Sequence, residues 1–195
     1  EIGALPKGKL EQVHAMCRRN AKPFEYAFLL DALKDEQAQG ITIDAARCFF
    51  RTAKRRYILI DAPGHIEFLK NMLTGASRAE AALLVIDAKE GIRDNTKRHG
   101  YVLSMLGLRQ VSVLVNKMDQ VQYSREVFER LRDEYRAFLE RLKISPVSFI
   151  PVSGMQGANI AERSAETPWY AGPTLLQQGD SFQRRDFPQA LPFRL

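Results

Sequence analysis

From Tyr57 onward the chain alternates short apolar runs with longer stretches whose apolar residues recur at helical spacing. Tyr57–Ile60, Ala81–Ile86, Val111–Val115 and Val147–Val152 are the short runs, and each predicts a buried strand. Their apolar character is continuous rather than alternating, which predicts a sheet covered on both faces and hence parallel pairing. Between them, Glu67–Gly75, Thr96–Gly107 and Ser124–Lys143 are long enough to serve as crossover helices. Ser124–Lys143 has the clearest pattern, with Val127, Phe128, Leu131, Tyr135, Phe138, Leu139 and Leu142 on one face. Ser124 is placed to cap its first N–H groups, and Glu126 suits the positive end of its dipole. Ile43–Thr52 partly alternates and runs through the polar turn Ala53–Lys54–Arg55 to Tyr57, which predicts a hairpin. Upstream, Pro6–Asn20 and Glu25–Gln37 read as helices separated by Pro23. Beyond Gly157 the chain reads as loop through Pro168–Trp169–Tyr170–Ala171–Gly172–Pro173, with Thr174 capping a short final helix. The predicted fold class is α/β: a doubly wound, mostly parallel sheet with one antiparallel edge hairpin.

Bulk properties narrow this picture without redirecting it. A chain of 195 residues supplies one well-cored domain. Ala81–Ile86, the longest apolar run, is far shorter than a membrane span, and no signal-peptide pattern opens the chain. Cys17 and Cys48 are too few for a disulfide framework and lack metal-ligand spacing, so a reduced, cytoplasmic setting is expected. The net charge of +6 raises nucleic acid as a partner. The basic residues are spread, however, and the densest groups, Arg51–Lys54–Arg55–Arg56 and Arg184–Arg185, read as solvated surface rather than a phosphate footprint.

In an open α/β sheet, ligands bind beyond the carboxyl ends of the strands, and three polar clusters follow apolar runs directly. The first is Asp61–Ala62–Pro63–Gly64–His65. An acid at a strand end can hold Mg²⁺ through water, and a nearby glycine lets the backbone approach a phosphate. The second is Asn116–Lys117–Met118–Asp119. A carboxylate there can accept two parallel hydrogen bonds from the guanine N1–H and amino group, a donor pair that adenine lacks. Asn116 can bond the purine edge and tie loops together, while the Lys117 stem covers a face of the base. The third is Ser153–Gly154–Met155, whose backbone N–H groups can reach the guanine O6. Upstream, Thr42 within Gly40–Ile41–Thr42–Ile43–Asp44 can offer its hydroxyl to Mg²⁺ and its N–H to a γ-phosphate. Taken singly, each of these but the second is an ordinary turn.

In order along one chain they resemble the GTPases of the elongation-factor class. Gly40–Ile43, Asp61–His65 and Asn116–Asp119 match the family's Gly-Ile-Thr-Ile, Asp-x-Pro-Gly-His and Asn-Lys-x-Asp segments, and Lys70–Ala76 is also similar. The separation of 55 residues between Asp61 and Asn116 is of the family's usual size. The resemblance implies GTP as ligand and Mg²⁺ as cofactor, with Thr42 and Asp61 serving the metal. It further implies that Gly64 senses the γ-phosphate and that His65 orients the attacking water as the catalytic residue. Asn116, Lys117, Met118, Asp119, Ser153, Gly154 and Met155 would bind the base. Gly154 stands where relatives often have alanine.

Within the class, Gln39–Asp44, Val85–Gly91, and Glu162–Arg163–Ser164 closely followed by Pro168–Gly172 resemble the GTP-hydrolysing subunit of bacterial sulfate adenylyltransferase. That branch implies a heteromeric partner, the catalytic ATP-sulfurylase subunit, and some of its relatives carry a fused adenylylsulfate kinase. The alternatives are an elongation factor delivering aminoacyl-tRNA, whose Ser-Gly-x-x-Gly-x-Asn also resembles Ser153–Asn159, and a GTPase-like interaction module without turnover. No Gly-x-x-x-x-Gly-Lys-[Ser/Thr] loop occurs, and Gly3, Gly8 and Lys9 do not approximate one. The resemblance therefore implies that residues 1–188 form a GTP-binding domain lacking its phosphate-loop segment, with 189–195 a linker into a β-barrel domain.

Overall fold

The computed structural model describes residues 45–183. The Pro6–Asn20 and Glu25–Gln37 segments, Thr42 and residues 189–195 lie outside them. Three of the apolar runs form one parallel sheet in the order β3-β4-β5, with β3 at Ala82–Asp87, β4 at Val111–Asn116 and β5 at Ser148–Pro151. Its register sets Ile86 beside Val115, Asp87 beside Asn116, and Val115 beside Pro151. Strand β4 is central, and its burial explains its unbroken apolar character: Val111, Val113 and Val115 are fully buried.

Both faces of this sheet are packed, the second only in part among the described residues, where Val85 of β3 is 55% exposed. On one, Ile86, Val113 and Val115 pack with Leu103, Leu131, Tyr135 and Leu139. These side chains come from helices α2 (Asp94–Met105) and α3 (Arg125–Arg141). On the other, Leu114, Ile150 and Val152 meet Leu83, Ile160 and Leu175, the last from α4 (Leu175–Ser181). The caps expected from the sequence are in place. Ser124 Oγ accepts from the Val127 N–H at 3.3 Å, and Thr174 Oγ1 accepts from the Gln177 N–H at 3.3 Å. Gly100 lets α2 approach α3, since a Cβ there would lie 2.9 Å from Phe138 Cε1.

The remaining apolar run forms the antiparallel hairpin that the sequence predicts, as a sheet of its own among the described residues. Tyr57–Ile60 falls within β2 (Arg56–Asp61), which pairs antiparallel with β1 (Ala46–Arg51) as a separate two-stranded sheet. Among the described residues no strand joins β2 to β3. Ile58 and Leu59 are 61% and 40% exposed, so this run is not the buried parallel strand its composition suggested. A short apolar run reports tolerance of burial and says nothing about which edge it joins.

Other contacts hold the hairpin. Thr52 Oγ1 donates to Asp180 Oδ1 at 2.7 Å, and the Tyr57 hydroxyl donates to the same oxygen, fastening β1 and β2 to α4. On the opposite side, α1 (Leu69–Ala76) lies against β2 at Gly75, where a Cβ would stand 3.2 Å from Ile60 Cγ2.

Candidate functional site

Two of the predicted clusters form one structure at the carboxyl ends of β4 and β5. Asn116, the last residue of β4, turns its side chain across to the next loop. Its Oδ1 accepts from the Gly154 N–H at 2.9 Å and from the Lys117 N–H at 2.8 Å. Asp119 is tied to the same loop, since Ser153 Oγ donates to its Oδ1 at 2.6 Å. Backbone bonds run parallel to these: the Met118 N–H reaches the Val152 carbonyl at 3.1 Å. Ser153 is fully buried, so its hydroxyl is a fixed post rather than a surface group.

The loop holds an unusual conformation to achieve this. Lys117 lies in the left-handed region, with φ +61°. A non-glycine residue there costs about 1–2 kcal/mol. The surroundings over-determine it, through the Asn116 side chain on its N–H and through Met118, whose side chain is wholly buried in the core. Met118 therefore anchors the loop from beneath instead of facing a ligand. Met155, next along the chain from Gly154, is 76% exposed. What remains open is a rim carrying the Asp119 carboxylate, the Lys117 stem and the Gly154 backbone.

A further charged residue joins this rim. Asp87 ends β3, directly beside Asn116, and its Oδ2 lies 2.7 Å from Lys117 Nζ. Burial acts to raise the Asp87 carboxyl, but the Lys117 ammonium and the Glu90 and Lys89 N–H groups outweigh it and hold it below the usual carboxylate range. The Lys117 ammonium is correspondingly pushed up, chiefly by its hydrogen bond to Asp87.

The first predicted cluster is a separate loop. Asp61 closes β2, Pro63 is buried, and Gly64 and His65 are exposed ahead of a short 3-10 turn, Ile66–Phe68. His65 Nδ1 accepts from the Glu67 N–H at 3.4 Å and faces the Glu67 carboxylate at 3.8 Å. No sequence signal points to His99, on α2, whose Nε2 donates to the Gly64 carbonyl at 3.2 Å. That bond ties the loop to the helix that follows the carboxyl end of β3. Burial lowers the His99 pKa, partly opposed by the Gly64 carbonyl. The partners are 35 residues apart, which no local motif encodes. Among the described residues no three His, Cys, Asp or Glu side chains converge as a metal cage. A Mg²⁺ held by one carboxylate and phosphate oxygens requires none.

A parallel sheet packed against helices, with polar loops clamped together at its carboxyl rim, defines an α/β protein of the kind that binds its ligand at that rim. The profile of the elongation factor Tu GTP binding domain family matches residues 7–183, and the chain belongs to that family. It is 42% identical, over its full length, to elongation factor 1-alpha of Methanosphaerula palustris, of which it spans 46%. It is 46% identical over 82% of its length to sulfate adenylyltransferase subunit 1 of Chromobacterium violaceum, spanning 33% of that protein. The crystal structure of Sup35 complexed with GDP superposes with a TM-score of 0.58 at 26% identity, covering 90% of this chain and 41% of that one. The chain thus spans less than half the length of these relatives. Among the described residues no helix is long and apolar enough to cross a membrane.

Proposed function

We propose that this chain binds and hydrolyses GTP as part of a sulfate adenylyltransferase, coupling turnover to formation of adenosine 5′-phosphosulfate from ATP and sulfate by a separate catalytic subunit. The observation that carries the guanine assignment is the Asp119 carboxylate, held by Ser153 on a rim closed by the Asn116–Gly154 bond. With one oxygen oriented by Ser153, the carboxylate presents its remaining lone pairs as a pair of acceptors, which suits the N1–H and amino group of guanine. The Gly154 N–H is engaged by Asn116 and the Ser153 N–H by the Ala158 carbonyl, leaving the Met155 N–H to approach the O6.

At the other end of the nucleotide, Asp61 would hold Mg²⁺ through water, together with Thr42. The metal would neutralise charge developing on the phosphates. Gly64 would offer its N–H to the γ-phosphate and His65 would position the attacking water. His99, bonded to the Gly64 carbonyl, keeps that peptide oriented.

The sulfate-activating branch is supported by the 46% identity to sulfate adenylyltransferase subunit 1 over 82% of this chain. The loop after β5, which carries the Glu162–Arg163–Ser164 and Pro168–Gly172 segments of that resemblance, is held by its own contacts. Arg163 Nη2 donates to the Ala171 carbonyl at 2.7 Å, and the Asn159 amide bonds Thr167 Oγ1 at 2.9 Å. These contacts close residues 159–171 into a short, tight connection. The elongation-factor reading is kept alive by the similarity to elongation factor 1-alpha over the whole chain.

Two measurements test the proposal. Asp119→Asn should weaken GTP binding by about a hundredfold or more and improve xanthosine triphosphate binding, because the amide inverts one acceptor into a donor. Unchanged GTP affinity in that variant would falsify the guanine assignment. Mixing the protein with an ATP-sulfurylase catalytic subunit should give a complex whose adenosine 5′-phosphosulfate output rises with GTP. Salt-sensitive aminoacyl-tRNA binding in its place would favour the elongation-factor reading.

A further inference from the structure

Asp87 lies outside the Asn116–Asp119 segment and belongs to a different strand, yet the sheet register brings it directly beside Asn116 on the rim. Its carboxylate divides its work. Oδ1 accepts from the Lys89 N–H at 2.8 Å and the Glu90 N–H at 3.1 Å, while the Gly91 N–H closes the same turn on the Asp87 carbonyl at 2.9 Å. These bonds cap the β3 turn and leave Oδ2 with no part in it. Oδ2 points at Lys117 Nζ instead, at 2.7 Å.

Lys117 is thereby held at both ends. Its backbone is fixed in the left-handed region by the Asn116 side chain and the buried Met118, and its ammonium is fixed by Asp87. A free lysine stem has large rotamer freedom that a ligand must quench on binding. Here the stem is spanned between two anchors. The carboxylate is the shielded partner at 19% exposure, whereas the lysine side chain remains 50% exposed, so the stem presents an open flank. Glu90 and Asp119 add further negative potential at the ammonium.

We propose that Asp87 is a positioning residue for the nucleotide, preorganising the Lys117 stem as a platform for the guanine ring. This rests on the guanine reading above. Preorganisation lowers the ordering cost of binding and shows mainly in the dissociation rate.

Asp87→Asn is the informative variant. Its amide oxygen still accepts from Lys89 and Glu90, preserving the turn, while its NH₂ group cannot accept from the ammonium. In the purified protein, release of a fluorescent GDP should be about twofold to fivefold faster in Asp87→Asn, the range for a partly exposed ion pair. Lys117→Met should release it faster still, and the double variant should match Lys117→Met alone, since Asp87 acts only through Lys117. Asp87→Glu should recover part of the loss. An Asp87→Asn rate equal to wild type, or single effects that multiply in the double variant, overturns the proposal.

Failure of the guanine reading has a different signature: wild type would hold the guanine probe no better than its adenine counterpart. The pairing is then read without nucleotide, from the Lys117 ε-carbon resonance in protein labelled on lysine. Asp87→Asn should displace that resonance and lower the pH at which it titrates. An unmoved resonance overturns the proposal independently of which base binds.

Discussion

At the residue scale, single side chains here work by closing gaps between loops that are distant in sequence. Asn116 is the clearest case, joining its own loop to the one after β5 through two hydrogen bonds on one oxygen. The sequence pointed to Asn116 and Asp119 because their spacing after an apolar strand is itself informative. It could not point to His99, which has meaning only once α2 faces the Gly64 loop. That contact carries a pH signature. The folded state depresses the His99 pKa, so it binds fewer protons than the unfolded chain at mildly acidic pH. The resulting stability is fully present above the unfolded value of about 6.5 and is lost as pH falls from there through the folded value. Urea melts at a series of pH values should show this slope, and His99→Gln should flatten it. Hydrogen-exchange protection factors at residues 62, 64 and 65, which are corrected for the intrinsic pH dependence of exchange, should fall on acidification in wild type and be low throughout in the variant.

At the scale of elements, α3 was read almost whole from the sequence. Its apolar face recurs at helical spacing, Ser124 caps it, and Phe128, Leu131, Tyr135, Phe138 and Leu139 are buried as expected. Its partner α2 runs Asp94–Met105, displaced by two residues at each end from the Thr96–Gly107 that the sequence predicts. The contact between these helices depends on Gly100, which looks like a helix weakness in one dimension. In three dimensions it is where Phe138 and Leu139 enter, with a Cβ falling 2.9 Å and 3.1 Å from their nearest atoms. Gly100→Ala should therefore destabilise the domain. Overpacking of about 1–3 kcal/mol exceeds the gain in helix propensity of about 1 kcal/mol. Chemical denaturation should give a lower midpoint with an unchanged slope. A rise in stability would show that the interface yields more readily than its packing implies.

For the whole molecule, the described residues form a three-stranded parallel sheet with its helices and a hairpin fastened beside it. The fastening is polar. Asp180 accepts from Thr52 and Tyr57 on one oxygen, and its backbone carbonyl accepts from Arg55 at 3.0 Å. Asp180→Ala should release the hairpin from α4, costing about 1 kcal/mol or somewhat more because two hydroxyls lose their acceptor. Hydrogen exchange should rise in residues 46–61 while β4 stays protected. Uniform loosening across β4 would instead make the hairpin integral to the parallel core. The sequence by itself determined the strand and helix types, the caps at Ser124 and Thr174, and the order of the polar clusters. These follow from periodicity and spacing along one chain. Only the tertiary structure decided that Tyr57–Ile60 pairs with β1 alone among the described strands, that Asp87 meets Lys117, and that His99 meets Gly64. Such contacts depend on which surfaces face one another after packing, and no local pattern of residues carries that information.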